Sequence, residues 1–164
     1  MEKVSDERIE LAVKNFYRGY NCSQAICTAW ADAYGLSEEQ MAKISSCFGG
    51  GIGRMRKTCG AACGMFILLG LEEGNANAGD KDAKAANYKT VQELANKFAE
   101  RNGGSTECAE LLKLGGVTTT TDYKPDERTA QYFAKRPCPR IIEESARIWN
   151  EYLQKKENDR KNNI

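Results

Sequence analysis

Apolar residues recur at helical spacing along nearly the whole chain, and no stretch shows the sustained apolar–polar alternation of a half-buried strand. This periodicity restricts the fold more than any other feature, because each segment can bury an apolar stripe only as a helix. Ser5, Asn21 and Ser37 stand where helix caps are expected, and Gln24 and Gln40 follow two of them at the capping-box position. The sequence predicts an all-α bundle of about six to seven helices.

The later helix boundaries follow from turn and cap residues. A Gly-rich connection, "FGGGIG", separates the third helix from the fourth, and Thr58 is predicted to cap the fourth. Ser105 is predicted to cap a short sixth helix, and Pro139 suits the first turn of the last one. Residues 114–135, which include a threonine run, stay open between an extended loop and a further helical turn or two.

Length and charge narrow the class of protein. We expect one helical domain over residues 1–154 and a charged tail over residues 155–164 that frays in solvent. The net charge of +1 argues against a nucleic-acid partner. The apolar runs are shorter than a membrane span, and the charged first residues do not form a signal peptide, so we expect no membrane insertion and a cytoplasmic location.

The chain has seven cysteines and no histidine. An odd number of thiols cannot form a fully paired disulfide framework, and a chain without histidine has lost the commonest metal ligand and general base. Its chemistry is therefore predicted to depend on sulfur. No C-x-x-C occurs, so any site must combine distant segments.

Four of the thiols fall at or next to predicted helix starts, where unpaired N–H groups and the helix dipole favour a thiolate over a thiol. We predict that these four are the redox-active thiols or, in an alternative role of the same groups, metal ligands: Cys22, Cys59, Cys108 and Cys138. Cys27 and Cys47 are expected to be inert, with Cys27 packed in its helix, whereas Cys63 is expected to pack beside the site, with lining the same site as the alternative.

The stretch "GGGIGRMRKTCG" does not follow a strand and lacks the P-loop pattern, so it is not predicted to bind a nucleotide. Its glycines are predicted to let the backbone pass close to the cysteine site, and Arg54, Arg56 and Lys57 to raise the local positive potential. A flexible connector with solvated charges is the alternative. The residues predicted to contact a cofactor, if one binds, are Gly50, Gly51, Gly53, Arg54 and Gly60.

Four blocks, "GYNCSQAI", "FGGGIGRMRKTCGAACG", "STECAELL" and "RPCPRIIEESARI", resemble in order and spacing the C_GCAxxG_C_C family of redox-active bacterial proteins. The likeness covers most of residues 8–152. The resemblance implies that the four cysteines after which the family is named are Cys22, Cys59, Cys108 and Cys138. Related domains joined to haem-binding modules in split-Soret cytochromes imply electron transfer and an iron–sulfur site.

Three functions stay open at this point. The first is an electron-transfer protein in which the four thiols hold an iron–sulfur cluster or another thiophilic metal. The second is a metal-free dithiol/disulfide protein, such as a reductase. The third is a non-redox helical module with structural zinc or packed cysteines. The expected partner is an electron donor or acceptor, itself a protein, and neither an enzymatic reaction nor an oligomeric state is assigned.

Overall fold

A computed structural model describes residues 1–163, and in this part of the chain eight α-helices form a single all-α domain without strands, as predicted. The helices are α1 (Asp6–Tyr17), α2 (Cys22–Thr28), α3 (Glu38–Ser45), α4 (Gly60–Glu73), α5 (Lys81–Arg101), α6 (Cys108–Leu114), α7 (Ala130–Lys135) and α8 (Cys138–Asn162). Two single-turn 3-10 helices, Asp32–Tyr34 and Ser46–Phe48, follow α2 and α3. None of the described helices is both long and apolar enough to cross a membrane.

The helix caps explain where the first three helices begin. The Ser5 hydroxyl accepts a hydrogen bond from the Glu7 N–H at the start of α1. Asn21 and Ser37 each form a complete capping box, because a Gln three residues later returns a hydrogen bond to the backbone N–H of the cap. These three predicted starts are confirmed.

Two other predicted caps are displaced. Thr58 does not cap α4; the residue before this helix is Cys59, and it makes no side-chain capping bond. Ser105 does not cap α6, because this helix begins after Glu107. The Ser105 hydroxyl instead accepts a hydrogen bond from the Glu107 N–H, just before the helix starts. The cause is an isolated antiparallel bridge between Thr58 and Glu107, which keeps both residues extended until the helices begin.

Helices α2 and α4 lie at the centre of the bundle, and α4 is apolar nearly all round because other helices cover most of it. Helix α1 packs on α2 and α8, whereas α4 packs on α2, α5 and α8. The largest side chains of this core are fully buried, and they are Phe16, Ile26, Trp30, Met41, Met65, Leu68, Leu69, Phe98, Leu112, Ile142 and Trp149.

The region left open in the sequence is a loop up to Thr129, followed by α7 over Ala130–Lys135. Residues 155–162 were expected to fray, but in the structure they continue α8 as a helix. Lys156 on this last stretch forms ion pairs with Glu72 and Glu73 of α4, which tether the helix. The last residue of the predicted tail, 164, lies outside the described residues.

The packing of α4 on α2 depends on a small residue at position 64. A Cβ atom added at Gly64 would lie 2.9 Å from Ile26 Cβ, whereas one added at Gly70 of the same helix would meet nothing within 4 Å. Gly64→Ala is expected to destabilise the fold by about 1–3 kcal/mol through overpacking. Gly70→Ala is expected to stabilise it by up to about 1 kcal/mol through helix propensity.

Urea unfolding of the two variants measures both effects on the same helix. Changes of the same sign and size would contradict the close approach of α2 and α4.

Candidate functional site

Backbone pairing places the starts of α4 and α6 side by side. The Cys59 N–H donates to the Thr106 carbonyl at 2.7 Å, and the Cys108 N–H donates to the Lys57 carbonyl at 2.7 Å. Cys59 is the residue immediately before α4, and Cys108 is the first residue of α6. Two cysteines separated by 49 positions in the numbering therefore lie at neighbouring helix starts.

A second close approach adds the start of α2. A Cβ at Gly60 would lie 3.1 Å from Cys22 Cβ and 2.8 Å from the Phe48 carbonyl oxygen, so no larger residue fits there without a shift. Cys22 is the first residue of α2, directly after its Asn21 cap. Cys138 is the first residue of α8, with Pro139 next to it as predicted. All four cysteines predicted at helix starts are found there.

The four thiols differ in contacts and exposure. Cys138 is the largest cause of the raised pKa of Cys22, so the two thiols lie close enough to interact. A charge on Cys22 would also act on Cys59 and Cys108, so Cys22 lies within electrostatic reach of the other three. Cys22 and Cys138 are partly exposed, whereas Cys59 and Cys108 are only 6% and 8% exposed. Cys22 and Cys138, whose thiols interact, are therefore also the two motif cysteines that are partly exposed.

The expectation that helix starts would favour thiolates is wrong for three of these groups. The neighbouring Cys138 thiol, together with burial, raises the pKa of Cys22 well above its ordinary value. Burial and the neighbouring Cys22 raise the pKa of Cys59, and burial raises that of Cys108. Helices α2 and α6 have seven residues each, and desolvation of a thiolate outweighs the small dipole of so short a helix.

A metal role for the thiols depends on their mutual positions. A cluster or a zinc ion requires about four ligands converging on one centre. Over residues 1–163, no three cysteine, aspartate or glutamate side chains come together in a way that could hold a metal ion. The donor chemistry suits a thiophilic metal, but the arrangement does not, and the metal role of the four thiols stays a prediction without geometric support.

The remaining cysteines are not among the lining residues of the cavity beside this group, although a charge on Cys22 also acts on Cys63. Cys27 is fully buried, its S–H donates to the Gly64 carbonyl at 3.5 Å, and burial raises its pKa to about 12. Cys63 is buried, and desolvation raises its pKa to about 11. The predicted packing role of both is confirmed. Cys47 is exposed on the 3-10 helix that follows α3, and its expected inertness stays a prediction.

The Gly-rich connection has an unusual backbone. From Gly50 to Arg54, five successive residues have positive φ angles between 57° and 72°, and Arg56 has a φ of 61°. A non-glycine residue in this left-handed region costs about 1–2 kcal/mol, and Ile52 is additionally β-branched. Hydrogen bonds across the turn hold it, including Lys57 N–H to the Gly51 carbonyl at 2.9 Å. The connection is therefore an ordered left-handed turn rather than a flexible connector.

This turn and the loop before α8 enclose a cavity of about 270 Å³ next to the thiols. Cys22, Cys108 and Cys138 line it, and four arginines surround them: Arg54, Arg56, Arg128 and Arg136. A larger surface groove between α5 and α8 contains none of the cysteines. The cysteine-lined cavity, which we call the thiol cavity, is the candidate functional site.

The predicted cofactor contacts divide into two groups in the structure. Gly50, Gly53 and Arg54 line the thiol cavity. Gly51 and Gly60 lie behind it, where a Cβ on Gly51 would lie 2.5 Å from Cys108 Cβ. Their role in binding a cofactor stays a prediction. Lys57, expected to raise the local potential, is exposed and does not line the cavity.

The side chains that α7 and the residues flanking it add to the thiol cavity were not predicted from the sequence. Arg128, Tyr132 and Arg136 line the thiol cavity, and Arg128 lowers the pKa of Cys22 against the stronger raising effects. Arg128 and Tyr132 belong to the region whose structure was left open, and Arg136 follows it directly. The one signal in the sequence was Arg136, which stands two residues before Cys138 in "RPCPR".

Comparison with known proteins gives one match. A family model described as "Putative redox-active protein (C_GCAxxG_C_C)" matches residues 20–152, which is most of the chain. No curated protein and no solved structure was found to match.

The contact between Cys22 and Cys138 can be tested through reactivity. Because the neighbouring Cys138 thiol is the largest cause of the raised Cys22 pKa, Cys138→Ala should lower that pKa. Burial persists, so the value should stay above the ordinary thiol range near 8.5. We expect faster alkylation of Cys22 by iodoacetamide at pH 8, measured by mass spectrometry of the Cys22 peptide. Cys63→Ala is the control and should leave the rate unchanged; a slower rate in Cys138→Ala would contradict the contact.

Proposed function

The chain belongs to the C_GCAxxG_C_C family, which is described as redox-active, and from this premise we propose that it is a dithiol/disulfide redox protein whose reacting pair is Cys22 and Cys138. One observation carries the proposal: of the three motif cysteines that line the thiol cavity, Cys22 and Cys138 are the two that are partly exposed, and their thiols lie close enough to interact. Thiol–disulfide exchange needs an accessible nucleophile and a resolving thiol within reach.

The interaction of the two thiols assigns them different tasks. The raised pKa of Cys22 keeps the proton on its sulfur, so the attack is assigned to Cys138. Cys138 also starts the 25-residue α8, whose dipole favours a negative charge at this end. The Cys138 thiolate attacks one sulfur of a substrate disulfide and displaces the other as a thiolate, which takes up a proton. Cys22 then loses its proton and attacks Cys138, which releases the second substrate thiol and leaves a Cys22–Cys138 disulfide.

Two electrons pass from the protein dithiol to the substrate in this exchange. An external dithiol, for which a partner protein is the natural source, reverses the reaction and regenerates the reduced pair. Cys59 and Cys108 are buried and have raised pKa values, although Cys108 also lines the cavity, so they are assigned a supporting place beside Cys22 rather than direct attack.

Oxidation of the reduced protein by hydroxyethyl disulfide tests the assignment. We expect two of the seven thiols to be lost, and peptide mapping should identify a Cys22–Cys138 disulfide that dithiothreitol reverses. Cys138→Ser should abolish its formation, because no thiol remains to attack. Cys27→Ser should leave it unchanged, since Cys27 is fully buried in the core.

An iron and acid-labile sulfide assay on anaerobically purified protein is the complementary measurement. A metal-free sample that forms the expected disulfide supports the proposal. A sample with stoichiometric iron and sulfide, and no Cys22–Cys138 disulfide after oxidation, would overturn it in favour of a cluster.

A further inference from the structure

The thiol cavity carries a strong excess of positive charge. Four arginines line it, and among the described lining residues Asp126 is the one carboxylate. Asp126 is shared, because both Arg54 and Arg136 form ion pairs with it. Cys22 and Cys108 do not supply the missing negative charge, since the pKa values of both thiols are raised, and Cys138 supplies at most one negative charge as the attacking thiolate.

The other two arginines have no carboxylate partner in the cavity. Arg128 donates to the Phe16 and Tyr20 carbonyls, and Arg56 donates to the Thr120 carbonyl. Carbonyl groups orient a guanidinium group but do not neutralise its charge. The cavity therefore keeps about two or three uncompensated positive charges in surroundings that are partly shielded from water, where charges interact more strongly than on an open surface.

One nitrogen of the Arg54 guanidinium has no hydrogen-bond partner, although the group also pairs with Asp126. The Arg54 side chain is 14% exposed, and its Nε donates to the Asp122 carbonyl. Its Nη2 is buried and has no hydrogen-bond partner in the described part of the chain. A buried, unpaired N–H donor is costly, and it is rare in a folded protein unless a ligand completes it.

The backbone places Arg54 and Arg56 in the cavity at a cost. Both have positive φ angles, a conformation that favours glycine, on the left-handed turn between α3 and α4. Strained residues that persist are concentrated at binding sites. A glycine at either position would relieve the strain but would remove a guanidinium group from the cavity.

From these observations we infer that the substrate of the thiol cavity is a small disulfide with an acidic group, whose carboxylate or similar anion binds the arginines while its sulfur faces Cys138. The inference rests on the proposed dithiol function and adds the class of substrate. Arg54 Nη2 is a donor for the anion, and Arg56, Arg128 and Arg136 supply the surrounding positive potential.

The exchange stays balanced with such a substrate. For a disulfide RSSR with acidic R groups, Cys138 takes one sulfur and releases one RSH, and Cys22 then releases the second RSH as the intramolecular disulfide forms. The protein loses two electrons and two protons, and the substrate gains both. The anion of R is not changed; it positions the S–S bond beside Cys138.

Three small disulfides of similar length and different charge provide the test. They are 3,3′-dithiodipropionate, which is anionic, hydroxyethyl disulfide, which is neutral, and cystamine, which is cationic. Rates of Cys22–Cys138 disulfide formation are measured by mass spectrometry and divided by the rates with 2-mercaptoethanol, a neutral thiol. We expect the anionic compound to react about tenfold or more faster than the neutral one, and the cationic one to be slowest.

The charge preference should depend on Arg54. Arg54→Gln is expected to reduce the advantage of dithiodipropionate over hydroxyethyl disulfide about tenfold, and Arg54→Lys to restore part of it. Arg147→Gln removes an exposed positive charge of α8 outside the cavity and should leave the advantage unchanged. The helical circular dichroism signal confirms that each variant is folded.

Suberate provides a readout that does not depend on redox chemistry, because it has the shape of dithiodipropionate with carbon in place of sulfur. Calorimetry should detect saturable binding that Arg54→Gln weakens about tenfold. Equal relative rates for the three disulfides, with no suberate binding, would overturn the inference and leave the dithiol function intact. Suberate binding without oxidation of the pair by any disulfide would overturn the dithiol function and retain the anion site.

Discussion

The site depends on the close approach of helix ends that only backbone and glycine can make. Hydrogen bonds between residues 57–59 and 106–108 place α4 beside α6, and Gly60 lets α4 reach the start of α2. Side chains at these crossings would separate the helices by an ångström or more, and the thiols would no longer lie in reach of one another. The apolar core then holds α8 against α1 and α4 and adds Cys138 as the fourth member.

The same compactness determines the electrostatics of the thiols. A helix start stabilises a thiolate modestly, whereas removing a thiolate from water and placing it near other sulfurs destabilises it strongly. Burial therefore favours the protonated form of Cys59 and Cys108, and the neighbouring Cys138 thiol raises the pKa of Cys22. Arg128 opposes this effect on Cys22 only partly. The thiols therefore lie beside a cavity lined by arginines, and Cys22, Cys59 and Cys108 lack ordinary thiolate character.

The sequence predicted the all-α class and the four cysteines at helix starts correctly. Capping residues and apolar periodicity are local signals, so the starts after Ser5, Asn21 and Ser37 were predicted correctly. Thr58 and Ser105 were misassigned as caps because a long-range backbone bridge, which leaves no local pattern, delays both helices. The thiolate expectation failed for a related reason: burial of a thiol depends on neighbours from other helices.

What the sequence determined by itself is the all-α class, the placement of four cysteines at helix starts and the dependence of any chemistry on sulfur. All three follow from residue type and short-range spacing. Only the tertiary structure decided that Cys22 contacts Cys138 and that Arg54, Arg128 and Arg136 share one cavity with them. Those contacts join residues far apart in the chain, and their geometry depends on how α2, α4 and α8 pack, which local sequence does not specify.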